Sequence, residues 1–259
     1  MVDKELFDAY SEAMRTIATL VQNETKSLVA SIDPFDDPSA NALKLLGRYR
    51  ELVAEYGTVA VTAAREYYQS ARDLAVEQGY ADGAYEAVTA QTVRREWADE
   101  DVQKAVQRGE DTLPGMAVRR IMQRGDHTIA VNMERDPSSP RWAIIPHPGA
   151  CGWCVMVASN GWAYSSERSA NAQRHDNCRC SVAVDWDTSN PYLAGYDPDA
   201  LYRQYQQGIE DAGDVYAKWN ALTQDERDSY KRKGRSAFDV FKTKQIAAAM
   251  DRRMHGADE

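Results

Sequence analysis

Between Ser39 and Gly79 the apolar residues Leu45, Tyr49, Leu52, Tyr56, Val59, Ala63, Tyr67, Ala71 and Leu74 recur in steps of three and four. A strand buries alternate residues, so steps averaging close to 3.5 belong to a helix that keeps one seam against a neighbour. The run predicts a helix of roughly 40 residues, packed along another helix for much of its length. A chain that commits so much of its length to one helix has a mostly helical architecture. Gly47 and Gly57 inside the run each cost about 1 kcal/mol relative to alanine, which points to close approach by a neighbour at both.

Helical spacing recurs elsewhere. From Leu6 to Ala30 the positions Leu6, Ala9, Tyr10, Met14, Ile17, Leu20, Val21 and Leu28 form a stripe, ended by Asp33-Pro34 and Asp37-Pro38. Further helical patterns cover Tyr85 to Trp97, Glu100 to Gln107 and Pro114 to Met133. The character changes at Asp136-Pro-Ser-Ser-Pro140. After it come a β-like run, Trp142 to Ile145, and an alternating stretch, Ser181 to Trp186, that reads as a strand. A turn-rich connector, Asp187 to Asp199, leads into helices from Pro198 to Asn220, where Leu201, Tyr205, Ile209 and Val215 lie at roughly helical spacing. Thr223 with Glu226 has the spacing of a capping box, and Phe238, Phe241, Ile246 and Met250 form the apolar side of a short last helix. The fold class is therefore mostly α. A helical region, 1–140, and a helical tail, 188–259, flank a small α+β module at 141–187.

At 259 residues the chain is long enough to bury a core without disulfides. Its formal charge of −9 argues against general adhesion to nucleic acid or anionic lipid. No apolar run reaches the roughly 18 residues of a membrane span, and the acidic amphipathic N-terminus lacks the form of a signal peptide. Between Tyr230 and His255 the balance reverses. Lys231, Arg232, Lys233, Arg235, Lys242, Lys244, Arg252 and Arg253 stand against Asp239 and Asp251, which makes either a solvated helix face or a docking surface for an acidic partner or DNA.

The four cysteines all fall in a thirty-residue window, as Cys151-x2-Cys154 and His175-x2-Cys178-x-Cys180. Tetrahedral zinc takes four soft or borderline donors at about 2.0 to 2.3 Å, and a C-x2-C turn places two sulfurs on one side of it. His175 with Cys178, or Cys178 with Cys180, would complete the shell. Five donors for four places leave the assignment open. Gly149, Gly152 and Gly161 supply tight turns. Three other readings compete. The cysteines pack as small reduced apolar residues; they pair as disulfides; or Cys154, His175 and Asp176 or Asn177 act as nucleophile, base and orienting group.

The order Pro148-Gly-Ala-Cys151-Gly-Trp-Cys154, the apolar turn Val155 to Ala158, Asn160-Gly161, Tyr164, and His175-Asp-Asn-Cys178-Arg-Cys180 leading into a strand resembles the Mu F-like minor head protein family of tailed bacteriophages. The Pro-Gly-Ala-Cys and His-Asp-x-Cys variants are similar to minor capsid proteins of phages that infect actinobacteria. The resemblance covers roughly residues 140 to 186, and it departs before Cys151, where His147 leaves a structural or spare-ligand role open. It implies a structural protein of the virion head, placed at the portal vertex and made in the host cytoplasm. Its partners would be the portal or the major capsid protein, with packaged DNA reached through the basic tail. It implies neither catalysis nor a small-molecule substrate, and a structural zinc is the expected cofactor. The alternative is a capsid maturation protease of cysteine type, against which stands the absence of any further region long enough to be an enzyme domain.

Overall fold

The computed structural model describes residues 1–33, 38–163, 174–232 and 234–256. Of the residues singled out above, Pro34, Asp37, Tyr164 and Lys233 lie outside them. The chain divides into two compact units that interleave in sequence. The first comprises Met1–Ile145 and Trp162–Gly195, the second Pro146–Gly161 and Tyr196–Glu259.

The first unit is built on three long helices that pack pairwise: α1 (Lys4–Ala30), α2 (Pro38–Glu77) and α4 (Leu113–Arg135). The Asp3 side chain opens α1 by accepting the Leu6 N–H at 2.8 Å. α1 buries Phe7, Tyr10, Met14, Ile17 and Val21 in alternating steps of three and four, while Leu20 of the expected stripe is exposed. α2 has the predicted length, and because it touches both α1 and α4 it buries more than a single seam. Tyr49, Leu52, Val53, Ala60, Val61, Ala64, Tyr67 and Tyr68 are all inside, and Val59 alone of the expected apolar positions is largely exposed. The Tyr67 ring stacks on Tyr10 at 4.3 Å and Tyr68 meets Trp186 edge-on at 5.2 Å. These tyrosines are core residues.

The two glycines of α2 differ. A Cβ at Gly57 would stand 3.1 Å from Val93 Cγ2, so a neighbour does press there; at Gly47 nothing lies within 4 Å. Val93 belongs to the segment that departs most from expectation. Residues 84 to 94 are not helical, and α3 begins only at Arg95, running to Arg108. Helical side chains supply the partners that the backbone of this segment would otherwise find in its own turns. Asn132 accepts the Val88 N–H and donates to the Val88 carbonyl, each at 2.8 Å. Gln69 accepts the Ala87 N–H at 2.8 Å, and Thr128 accepts that of Ala90 at 3.3 Å.

The strands β1 (Arg141–Ile145) and β2 (Ser181–Asp185) form an antiparallel pair, Arg141 opposite Asp185 and Ile145 opposite Ser181. β2 is buried along its whole length. Its Ser181 hydroxyl meets that of Ser11 at 2.7 Å, which ties the sheet to α1. Asp136, just past α4, accepts from Arg72, Tyr68 and the Trp186 indole at 3.0 to 3.1 Å.

The second unit gathers α5 (Gly152–Ala158), α6 (Pro198–Ala212), α7 (Val215–Asn220), α8 (Gln224–Asp228) and α9 (Ala237–His255), with α9 packed on all the others. The helical stretch expected over Pro198 to Asn220 is two helices: Gly213 turns the chain with φ 63° and Asp214 caps the next segment through the Ala217 N–H. The capping box of Thr223 and Glu226 is present at α8. Trp219, Tyr230, Phe238 and Phe241 form an aromatic cluster with centroids 5.1 to 6.2 Å apart. Within the basic tail, Arg253 pairs with Asp211 and Lys231 with Asp228, and Lys244 stands over the Tyr230 ring.

Candidate metal centre

Cys178 and Cys180 belong to the first unit, on the approach to β2, and both are buried. The approach is a turn in which the Cys178 N–H donates to the His175 carbonyl at 3.2 Å and Asn177 adopts a left-handed φ of 64°. Three neighbours hold it. The Asn177 N–H donates to the Gly115 carbonyl at 3.1 Å, and the Asn177 amide lies close over the bare Cα of Gly115. Gln22 of α1 bonds the Asn177 side chain at 2.7 Å and accepts from Arg179 at 2.9 Å.

The most consequential neighbour is Arg174, which the sequence reading passed over. Its buried guanidinium grips Asp126 of α4 fork to fork, at 2.5 and 2.7 Å. A third N–H reaches Cys178 Sγ at 3.1 Å and also the Cys180 carbonyl. Burial works against the charge on Arg174, but Asp126 and the Cys178 sulfur outweigh it and hold the guanidinium protonated well above its ordinary range. A charged donor aimed at sulfur favours the thiolate, the form that binds metal. One sequence signal was available: an arginine one residue before the His-x2-Cys-x-Cys block.

His175 is half-buried, and its Nδ1 lies 2.7 Å from the Asp176 carbonyl. A carbonyl oxygen only accepts, so this hydrogen bond puts the proton on Nδ1 and the lone pair on Nε2, the tautomer a metal requires. The carboxylate of Asp176 is held elsewhere, by Arg119 at 2.7 Å. The Asn177 amide is held by Gln22.

Cys151 and Cys154 belong to the second unit. Cys151 is the N-cap of α5, half-exposed, and Cys154 sits one turn on, buried. That spacing sets both sulfurs on the same side of the first helical turn. The turn is fixed from behind: the Gly152 N–H donates to Asp251 at 2.6 Å, and a Cβ on Gly152 would stand 2.3 Å from the Ala247 carbonyl of α9. His147 turns Nδ1 to the Pro148 carbonyl at 2.6 Å.

Among the described residues, none of the four cysteines is joined in a disulfide. Among the described residues, the Cys and His groups that could hold a metal ion draw on Cys151, Cys154, His175, Cys178 and Cys180. The set is soft, buried for the most part and supported by outer hydrogen bonds, which suits zinc better than a hard cation. His147 is not in those groups. Among the described residues, no helix is long and apolar enough to cross a membrane.

No curated protein and no solved structure matches the chain. A family model does: that of the VG15 protein, over residues 1–208. The match takes in the three-helix framework, both strands and every Cys and His of the centre, so the chain belongs to the VG15 protein family, a family of viral (phage) gene products.

Proposed function

We propose that the chain is a structural minor capsid protein of a tailed phage, in which four of Cys151, Cys154, His175, Cys178 and Cys180 hold one zinc ion. The observation that carries the metal is Arg174: a buried guanidinium, paired with Asp126, also donates to Cys178 Sγ, and such an outer donor favours the thiolate that a metal binds. The capsid role is supported by membership of a phage family together with the Mu F-like order of residues from Pro148 to Cys180. In this reading the chain enters the head at the portal vertex after synthesis in the host cytoplasm. It meets the portal or major capsid protein through its helices, and the basic face of α9 lies toward packaged DNA.

Metal and location are tested separately. Elemental analysis of reduced, purified chain is expected to find one zinc per molecule. A chelator is expected to release it, expose thiols to titration and lower the melting temperature; a metal-free chain with four reactive thiols would sink the centre. Mass spectrometry of purified virions and proheads is expected to find the chain alongside the portal, and its absence from both would overturn the capsid role. The maturation-protease alternative requires cleavage of head proteins that is lost in Cys154→Ser and His175→Ala while the fold persists.

A further inference from the structure

We infer that the first unit carries a second, unrelated site: a phosphate-binding pocket formed where α3, α4 and the segment before α3 meet. It is a cavity of about 340 Å³ lined by Gln91, Arg94, Trp97, Arg120, Gln123, Arg124 and His127. No carboxylate is in that lining, although acids outnumber Lys and Arg by 40 to 31 in the chain. The helix repeat assembles it, since Arg120, Gln123, Arg124 and His127 stand at i, i+3, i+4 and i+7 and share one face of α4.

Three guanidiniums crowd a single indole. Arg124 lies 4.5 Å from the Trp97 ring centroid, Arg94 5.2 Å and Arg120 5.8 Å. Each is held in place: Arg120 by Asp101 at 2.6 and 2.8 Å, Arg124 by the Gln91 carbonyl at 3.2 Å, Arg94 by the Gln91 side chain at 3.1 and 3.2 Å. Asp101 also carries Arg119, so one carboxylate serves two arginines. Arg120 and Arg124 are buried. Arg94 is exposed at the N-cap of α3, an end without a side-chain cap, and that end adds the positive pole of a 14-residue helix. Asp101 offsets part of this charge from behind, and the face turned to the cavity is basic and amide in character. Pre-set guanidinium forks beside amide donors and an imidazole match the oxygens of a phosphate ester. The ligand class is a phosphate group of a nucleotide or of single-stranded nucleic acid. The pocket shares no residue with the Cys/His centre, so the inference stands or falls apart from the capsid and zinc reading.

Isothermal titration of the full chain with inorganic phosphate, a nucleoside monophosphate and a short single-stranded oligonucleotide tests it. Saturable binding is expected. Arg94→Gln with His127→Gln, at exposed and half-buried positions where the fold is checked by circular dichroism, is expected to weaken binding on the order of tenfold or more. Arg203→Gln, in the second unit, is the control and is expected to change nothing. An oligonucleotide that binds well above the monophosphate, with a salt slope that falls by about one in the double variant, identifies the polymer as the source; equal binding identifies the free nucleotide. No saturation by any of the three, or binding that the folded double variant keeps in full, overturns the pocket.

Discussion

The two units keep their polar groups in different places. The first buries them: Arg72 with Asp136, Arg120 with Asp101 and Arg174 with Asp126 are ion pairs inside the core, with Tyr10, Tyr49, Tyr67 and Tyr68 around them. The second keeps them outside: Arg253 with Asp211 and Lys231 with Asp228 are solvent-exposed, and Tyr202 and Tyr216 are largely exposed. It is held by an aromatic cluster, by helix caps and by helix approaches close enough to demand Gly152 and Gly208. A buried ion pair contributes little net stability while intact and a large loss when half of it is removed. The first unit is therefore brittle to changes of charge, and the second to changes of volume.

Alkali puts that contrast to the hardest test. Burial raises the phenols of Tyr10, Tyr49, Tyr67 and Tyr68 above the ordinary tyrosine value of 10, with nearby carboxylates adding to it at each. A folded-state value above the unfolded one gives stability that is complete below pH 10 and lost as the pH climbs toward the folded values. Peptide-resolved hydrogen exchange is expected to show the first unit losing protection as a body above pH 10, before the second. Uniform loss across both would break the comparison.

Asp136→Ala comes next. It strands the Arg72 guanidinium, the Tyr68 hydroxyl and the Trp186 indole in the core, and should cost about 3 to 5 kcal/mol in urea unfolding. Gly152→Ala tests the second unit through volume, since the new methyl meets the backbone of α9. It should cost about 1 to 3 kcal/mol, seen as a lower melting temperature. Gly47→Ala is the small opposite case: an exposed helix interior with nothing within 4 Å should gain about 0.5 to 1 kcal/mol. A loss there would mean that something does press on α2 at that point.

The helices were legible where their pattern is local. α2 appears at its predicted length because its apolar steps hold the helical period along the whole run. The two strands and the capping box at Thr223 were legible for the same reason. The segment from Tyr85 to Arg94 was not, because its apolar spacing fits a helix while its backbone hydrogen bonds go to Gln69, Thr128 and Asn132. Nothing within ten residues announces those partners. The turn at Gly213 between α6 and α7 leaves no mark on the apolar spacing of Leu201, Tyr205, Ile209 and Val215. Arg174 looked like one more charge in a polar loop, and Asp126 like one more acid on a helix.

By itself the sequence determined the helical class, the placement of the long helices and the five donors gathered in one window, since each depends on residue type at short spacing. Tertiary structure alone decided which charges are buried, which of two similar glycines is pressed, and that Arg174 reaches Cys178 while three arginines meet on Trp97. Those outcomes depend on which side chains end up adjacent across long stretches of chain. Such adjacency is a consequence of packing, and it leaves no periodic trace in the order of residues.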